Sequence, residues 1–268
     1  PDPDPDPDPD PDPDPDPDPD PDPDPDPDPE PDPDPAACVI TMCLTGAVDQ
    51  ETPSNDGFAA ICEDPRVRGV VPDCDSGDCY ATWDNFLQDE GETFYPALFA
   101  ALDTNSDGRV DAGDRACEVH LVGFSWGGVN VVELSKRLFE DSRVSSSRRV
   151  VHKAIIIDAF QPFMRAAMTM PSGVRRVRNY RQSEAPQNDC SRGEPLGPYE
   201  GFASPCTRVG DCANHDFADA PAVEFDTGRY GTFLGSEVDH CLIAYAVHEA
   251  VVAELTDTRY DGPLPPAR

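Results

Sequence analysis

The sequence predicts an α/β protein, with a mostly parallel twisted sheet covered by helices on both faces. Apolar, often β-branched runs alternate with helix-length segments between residues 38 and 255, which is the pattern of βα units. The chain also divides sharply at residue 35. Of its 268 residues, the first 35 carry Pro at every odd position and an acid at every even one, namely 18 Pro, 16 Asp and Glu30. The 233 residues that remain suit one domain with a substantial core, since about 230 residues bury enough surface for that. Removing the 17 acids of the repeat leaves 36 acids against 20 Lys and Arg, a net charge of −16 where the whole chain has −33. Such a charge repels phosphate and excludes a basic nucleic-acid binder. No apolar run has the length needed to span a membrane.

The elements follow in order. Residues 38–45 form an apolar run ending at Gly46 and read as a buried strand. A helical patch at 57–62 and a second strand at 67–71, ended by Pro72, come next. Residues 72–92 are polar and turn-rich. Residues 94–102 read as a short helix with Phe94, Leu98, Phe99 and Leu102 as its apolar positions. Residues 119–124 are a strand, and 127–140 a helix with Val131, Leu134 and Leu138 on one side. Residues 150–157 are a strongly β-branched strand, 163–170 a short apolar segment and 174–180 another strand. Residues 182–239 carry few regular signals, and 242–255 close the chain with a helix. No repeat is visible outside the N-terminal tract.

That tract, residues 1–35, has no apolar side chain to bury and is expected to be a disordered Pro-Asp tether. Proline biases it to extended geometry and like charges stretch it, so at roughly 3.1 Å per residue it reaches about 100 Å. The functional reading is a spacer between a surface and the domain at 36–268; the plain alternative is a solvated end without a partner. A signal peptide or lipid anchor would lie upstream of residue 1. The ten cysteines all lie in the domain, and none has the paired C-x-x-C spacing of a zinc site. Disulfides and an oxidising, extracytoplasmic compartment are the expectation. Sequence alone does not give their connectivity; the pairs suggested are Cys74 with Cys79, and pairing among Cys190, Cys206 and Cys212.

The sharpest signal is Gly123-Phe124-Ser125-Trp126-Gly127-Gly128. It fits G-x-S-x-G in the required context of strand, tight turn and helix. The turn needs small residues two positions to either side, and it lifts the serine hydroxyl above the sheet edge. The helix that follows points its N-terminus at developing negative charge. The plain alternative is a Gly-rich turn holding an incidental serine. At these residues the chain resembles the α/β-hydrolase superfamily, in its lipase and esterase branch. The resemblance is specific at the turn and looser over the rest of the domain. It implies an α/β-hydrolase fold and a triad in the chain order Ser, acid, His.

Within that resemblance His240, in the loop before the last helix, is the candidate base; His215 is the runner-up, and His152 and His248 read as structural or surface residues. Asp158, directly after an apolar strand, is the favoured acid, because a carboxylate there is costly without a partner. Pancreatic-type lipases place their acid after the corresponding strand, whereas most of the superfamily uses the next one. That choice nominates Glu184, with Asp189 and Asp239 as further candidates. The oxyanion donors implied are the backbone N–H groups of Trp126 and Ala47. No organic cofactor is needed. No insertion large enough for a cap domain follows Asp158, so the cap is minimal. Residues 160–171, with Phe163, Met164, Met168 and Met170, read equally as a small lid or as a core helix.

A second signal is Asp103-Thr104-Asn105-Ser106-Asp107-Gly108-Arg109-Val110-Asp111-Ala112-Gly113-Asp114. Oxygen ligands fall at loop positions 1, 3, 5, 9 and 12 (Asp103, Asn105, Asp107, Asp111 and Asp114), with the Arg109 carbonyl at position 7 and Gly108 at position 6. This segment resembles EF-hand-like loops, also seen in dockerins, with Asp114 where those loops have Glu. Because a strand follows instead of a second helix, a structural Ca²⁺ is expected, not a sensor; an acidic turn without an ion is the plain alternative. The leading functional reading is therefore an extracytoplasmic, calcium-stabilised serine esterase or lipase acting on esters or lipids. Two others stand beside it: a serine hydrolase of amide or polysaccharide acetyl-ester bonds, and a non-catalytic calcium-binding surface module.

Overall fold

The computed structural model describes residues 38–45, 53–70, 91–159, 169–183, 188–191, 194–196, 209–219, 223–226, 232–236, 238–240 and 242–265. The Pro-Asp tract lies outside them. Residues Ala36–Arg268 form a unit of their own. Its elements are β1 (Cys38–Leu44), α1 (Pro53–Cys62), α2 (Gly91–Leu102), β2 (Cys117–Phe124), α3 (Trp126–Glu140), β3 (Val151–Ile157), β4 (Val174–Arg181), β5 (Asn188–Ser191), β6 (Glu194–Leu196), β7 (Asp211–Asp216), β8 (Val223–Asp226), β9 (Thr232–Ser236) and α4 (Ile243–Leu255).

The central sheet has the order β1-β2-β3-β4-β7, and every pairing in it is parallel. Side chains alternate between its faces, as the twofold period of a strand requires. On one face Ile40, Met42, Leu121, Ala154, Ile156 and Val177 pack under α2 and α3. On the other, Cys43, Val122, Phe124, Ile155, Ile157 and Tyr180 pack under α1 and α4. The α/β class with helices on both faces is thus what the structure has. β1, β2 and β3 are largely apolar because both of their faces are buried, whereas β4 carries arginines between Val174, Val177 and Tyr180.

The register lines up the C-terminal ends of the strands: Leu44 opposes Gly123, Phe124 opposes Ile157, and Ile157 opposes Tyr180. The residues that follow β2 and β3, Ser125 and Asp158, therefore leave the sheet at the same edge. Between β3 and β4 only residues 158–173 intervene, and of the apolar segment there Met170 is buried in the core, while 160–168 lie outside the described residues.

Two expectations change, for the strand at 67–71 and for the region 182–239. Of the strand expected at 67–71, the described residues 67–70 hold one isolated parallel bridge, between Val70 and Thr41, and residue 71 lies outside them. There the backbone of Gly69 and Arg68 takes the N–H and hydroxyl of Thr41 at the edge of β1, and Gly69 turns the chain with φ 68°. The region 182–239 holds more order than its pattern suggests: the fifth strand of the main sheet, β7, and two antiparallel pairs, β5–β6 and β8–β9. The disulfides described are Cys38–Cys117, between adjacent strands, and Cys43–Cys62, between β1 and α1. Cys212 is also disulfide-bonded. Cys74 and Cys79 lie outside the described residues, as do the side chains of Cys190 and Cys206.

Candidate active site

Ser125 sits between the last residue of β2 and the first of α3, at φ 56° and ψ −122°. A non-glycine residue at positive φ is strained and persists only where its surroundings hold it. Here the Ser125 N–H donates to the Ile157 carbonyl (2.9 Å), and the Gly128 N–H donates to the Ser125 carbonyl (3.0 Å). The small residues of the motif have a steric reason. A Cβ on Gly127 would overlap the Leu44 carbonyl, and one on Gly123 would overlap the backbone of Gly127. Nothing larger than hydrogen fits where the turn crosses β1.

Asp158 follows β3 and is also at positive φ, 44°. Its N–H donates to the Tyr180 carbonyl (2.6 Å), which ties the turn to β4. Its carboxylate is fully buried and finds two partners: Oδ1 accepts the Gln182 N–H (3.0 Å), and Oδ2 lies 2.7 Å from His240 Nδ1. His240 Nε2 is 3.0 Å from Ser125 Oγ. With Nδ1–H donating to the carboxylate, Nε2 is left to accept the serine proton. All three side chains are buried. The structure thus brings Ser125, His240 and Asp158 into one hydrogen-bonded chain, from three elements distant in sequence.

The competing candidates fall elsewhere. His215 stacks on Tyr180 and pairs through Nδ1 with the Pro265 carbonyl (2.8 Å). His152 Nδ1 accepts the Val119 N–H (3.0 Å), and His248 lies beside Asp64. Asp239 Oδ1 accepts the Leu242 N–H (2.9 Å) at the entry to α4. Glu184 lies outside the described residues, as does the side chain of Asp189. Trp126 is the first residue of α3 and is buried; Ala47 lies outside the described residues. Two groups at the site carry no sequence signal: the Gln182 N–H, brought in by the β3–β4 pairing, and the Phe124 ring, stacked on His240 with centroids 4.9 Å apart.

The loop at 103–114 leaves α2, passes Val110, which is buried and bridged to Val144, and leads to β2. Gly108 has φ 81°. Asp103 accepts the N–H groups of Asp107 and Gly108, Asn105 that of Asp107, Asp107 that of Arg109, and Asp111 that of Gly113. Asp114 accepts from the N–H groups of Asp111 and Asn105 and from the Thr104 hydroxyl, and those bonds hold its carboxyl below the usual range. The donor atoms are oxygen throughout, which suits a hard cation. Among the described residues, three His, Cys, Asp or Glu groups come within 4.8 Å of one another at Asp64, His248 and Glu249. Arg66 already bonds both carboxylates of that group, at 2.7 and 2.9 Å.

No family model matches the chain, and no curated protein does. Among solved structures, the crystal structure of an uncharacterized protein from Pseudomonas aeruginosa is similar over 84% of this chain, at 12% identity and a TM-score of 0.34. The chain spans 48% of that protein, about half its length, and a likeness of this size carries no argument. Fold and site together define an α/β protein with a buried Ser-His-Asp chain at the C-terminal edge of a parallel sheet.

Proposed function

We propose that the protein is an extracytoplasmic serine hydrolase of carboxylic esters, of esterase or lipase type and α/β-hydrolase architecture. The observation that carries this is the pair of distances at His240, 2.7 Å to Asp158 and 3.0 Å to Ser125, beneath a strained turn. Ser125 Oγ attacks the acyl carbonyl while His240 Nε2 takes its proton. Asp158 holds the imidazole by Nδ1–H and stabilises the imidazolium that forms. The N–H groups of Trp126 and Ala47 receive the oxyanion at the start of α3, where the helix dipole favours negative charge. The imidazolium then protonates the leaving alkoxide, and water, deprotonated by His240, releases the acid and regenerates the serine. The disulfides agree with work outside the cytoplasm. Turnover of p-nitrophenyl esters across a chain-length series tests the reading: hydrolysis is expected, with a loss of at least about 10³-fold in Ser125→Ala. Equal rates for the two proteins refute it.

The loop at 103–114 is proposed to hold a structural Ca²⁺. Side-chain oxygens of Asp103, Asn105, Asp107, Asp111 and Asp114 and the Arg109 carbonyl are the ligands. When bound, the ion would neutralise carboxylates that lead into the strand carrying the nucleophile; it takes no part in the reaction.

A further inference from the structure

We propose that Phe124 is a positioning residue for the imidazole of His240, backed by Phe58 of α1. The inference rests on the hydrolase reading above and deepens it. Phe124 occupies the free position of Gly-x-Ser-x-Gly, directly before Ser125, and is fully buried. Its ring is stacked on that of His240, with centroids 4.9 Å apart and planes 26° from parallel. Phe58 is stacked on Phe124 in turn, at 6.0 Å and 28°. Both separations are those of attractive ring pairs. Phe58 belongs to α1, which the Cys43–Cys62 disulfide ties to β1.

The stack supplies what the hydrogen bonds lack. His240 is held at its two nitrogens, by Asp158 and by Ser125. Rotation of the ring about the line joining the nitrogens leaves both contacts nearly in place. A flat, packed surface against the ring face removes that freedom. The same surface acts again when Nε2 takes the serine proton, because the negative face of an aromatic ring attracts a cation. That attraction exists only once the imidazolium forms, so it favours the transition state over the bound ester.

The test compares kcat and KM for one p-nitrophenyl ester in the wild type, Phe124→Leu, Phe124→Tyr and Phe58→Leu, with melting temperatures to show that each is folded. Phe124→Leu is expected to lower kcat about tenfold while KM stays within about twofold, the signature of an interaction made in the transition state. Phe124→Tyr, which keeps the ring, is expected to restore most of kcat. Phe58→Leu is expected to lower kcat about threefold, and it carries the test if Phe124→Leu does not fold. Wild-type kcat in a folded Phe124→Leu, or in Phe58→Leu where that variant stands in, overturns the proposal and leaves the hydrolase reading intact. A folded wild type that neither hydrolyses esters nor reacts with a fluorophosphonate overturns the hydrolase reading itself, before any ring is changed.

Discussion

At the scale of single residues, what decides the site is backbone conformation. Ser125 and Asp158 both take positive φ, at turns that immediately follow neighbouring parallel strands. The strain is offset by bonds to the sheet, from Ser125 to Ile157 and from Asp158 to Tyr180. Ser125 was legible because the glycine spacing has a steric cause, and Asp158 because a carboxylate after Ala154-Ile155-Ile156-Ile157 had to find a partner. The Gln182 N–H was not legible, since its place depends on strand register, which no local pattern encodes.

A different buried residue sets a pH dependence. His120, on the face of β2 beneath α4, is paired with Glu118, but burial and the Lys153 ammonium push its pKa down to about 4. The unfolded chain takes up this proton near pH 6.5 and the folded one does not. Stability from this group is therefore complete above about pH 6.5 and lost as pH falls from there towards 4, by up to roughly 3 kcal/mol. His152, also lowered by burial, acts in the same direction. Urea unfolding between pH 7 and 4 should show this loss, and His120→Gln should flatten the slope; an unchanged slope removes His120 as its source.

At the scale of elements, strands β1 to β4 were legible and β7 was not. β1, β2 and β3 are largely apolar runs, and β4 buries Val174, Val177 and Tyr180 among its arginines. β7 is Asp-Cys-Ala-Asn-His-Asp, and polar pairs in register with β4 hold it there. Arg176 opposes and bonds Asp211 (2.8 Å), Asn179 opposes and bonds Asn214 (2.9 Å), and Arg181 opposes Asp216 and pairs with it (2.9 Å). Cross-strand pairs of this kind stabilise an edge without leaving a hydrophobic period to read. The loop at 103–114 was legible as a pattern of oxygens, and its metal remains a proposal with a direct test. Calorimetric melting in Ca²⁺ and in a chelator should show a lower Tm without the ion, by a few degrees or more; an unchanged Tm together with no bound metal in the native protein rejects the assignment.

At the scale of the whole molecule, the acidity has two sources. Seventeen acids belong to the Pro-Asp tract. The domain keeps an excess of 16 acids, and some of its acids are paired where Arg176 and Arg178 of β4 and Lys153 of β3 meet Asp211 of β7, Glu254 of α4 and Asp257 just after it. At the C-terminal edge of the sheet lies one buried hydrogen-bonded chain, from Asp158 to His240 to Ser125. The central claim is that this chain activates the serine. Reaction of the folded protein with a fluorophosphonate, followed by peptide mapping, tests it most directly. The account predicts one modified residue, Ser125, with modification abolished in Ser125→Ala and slowed at least about 10³-fold in His240→Ala. An unmodified Ser125 in folded wild type, or a rate that is indifferent to His240, would contradict it.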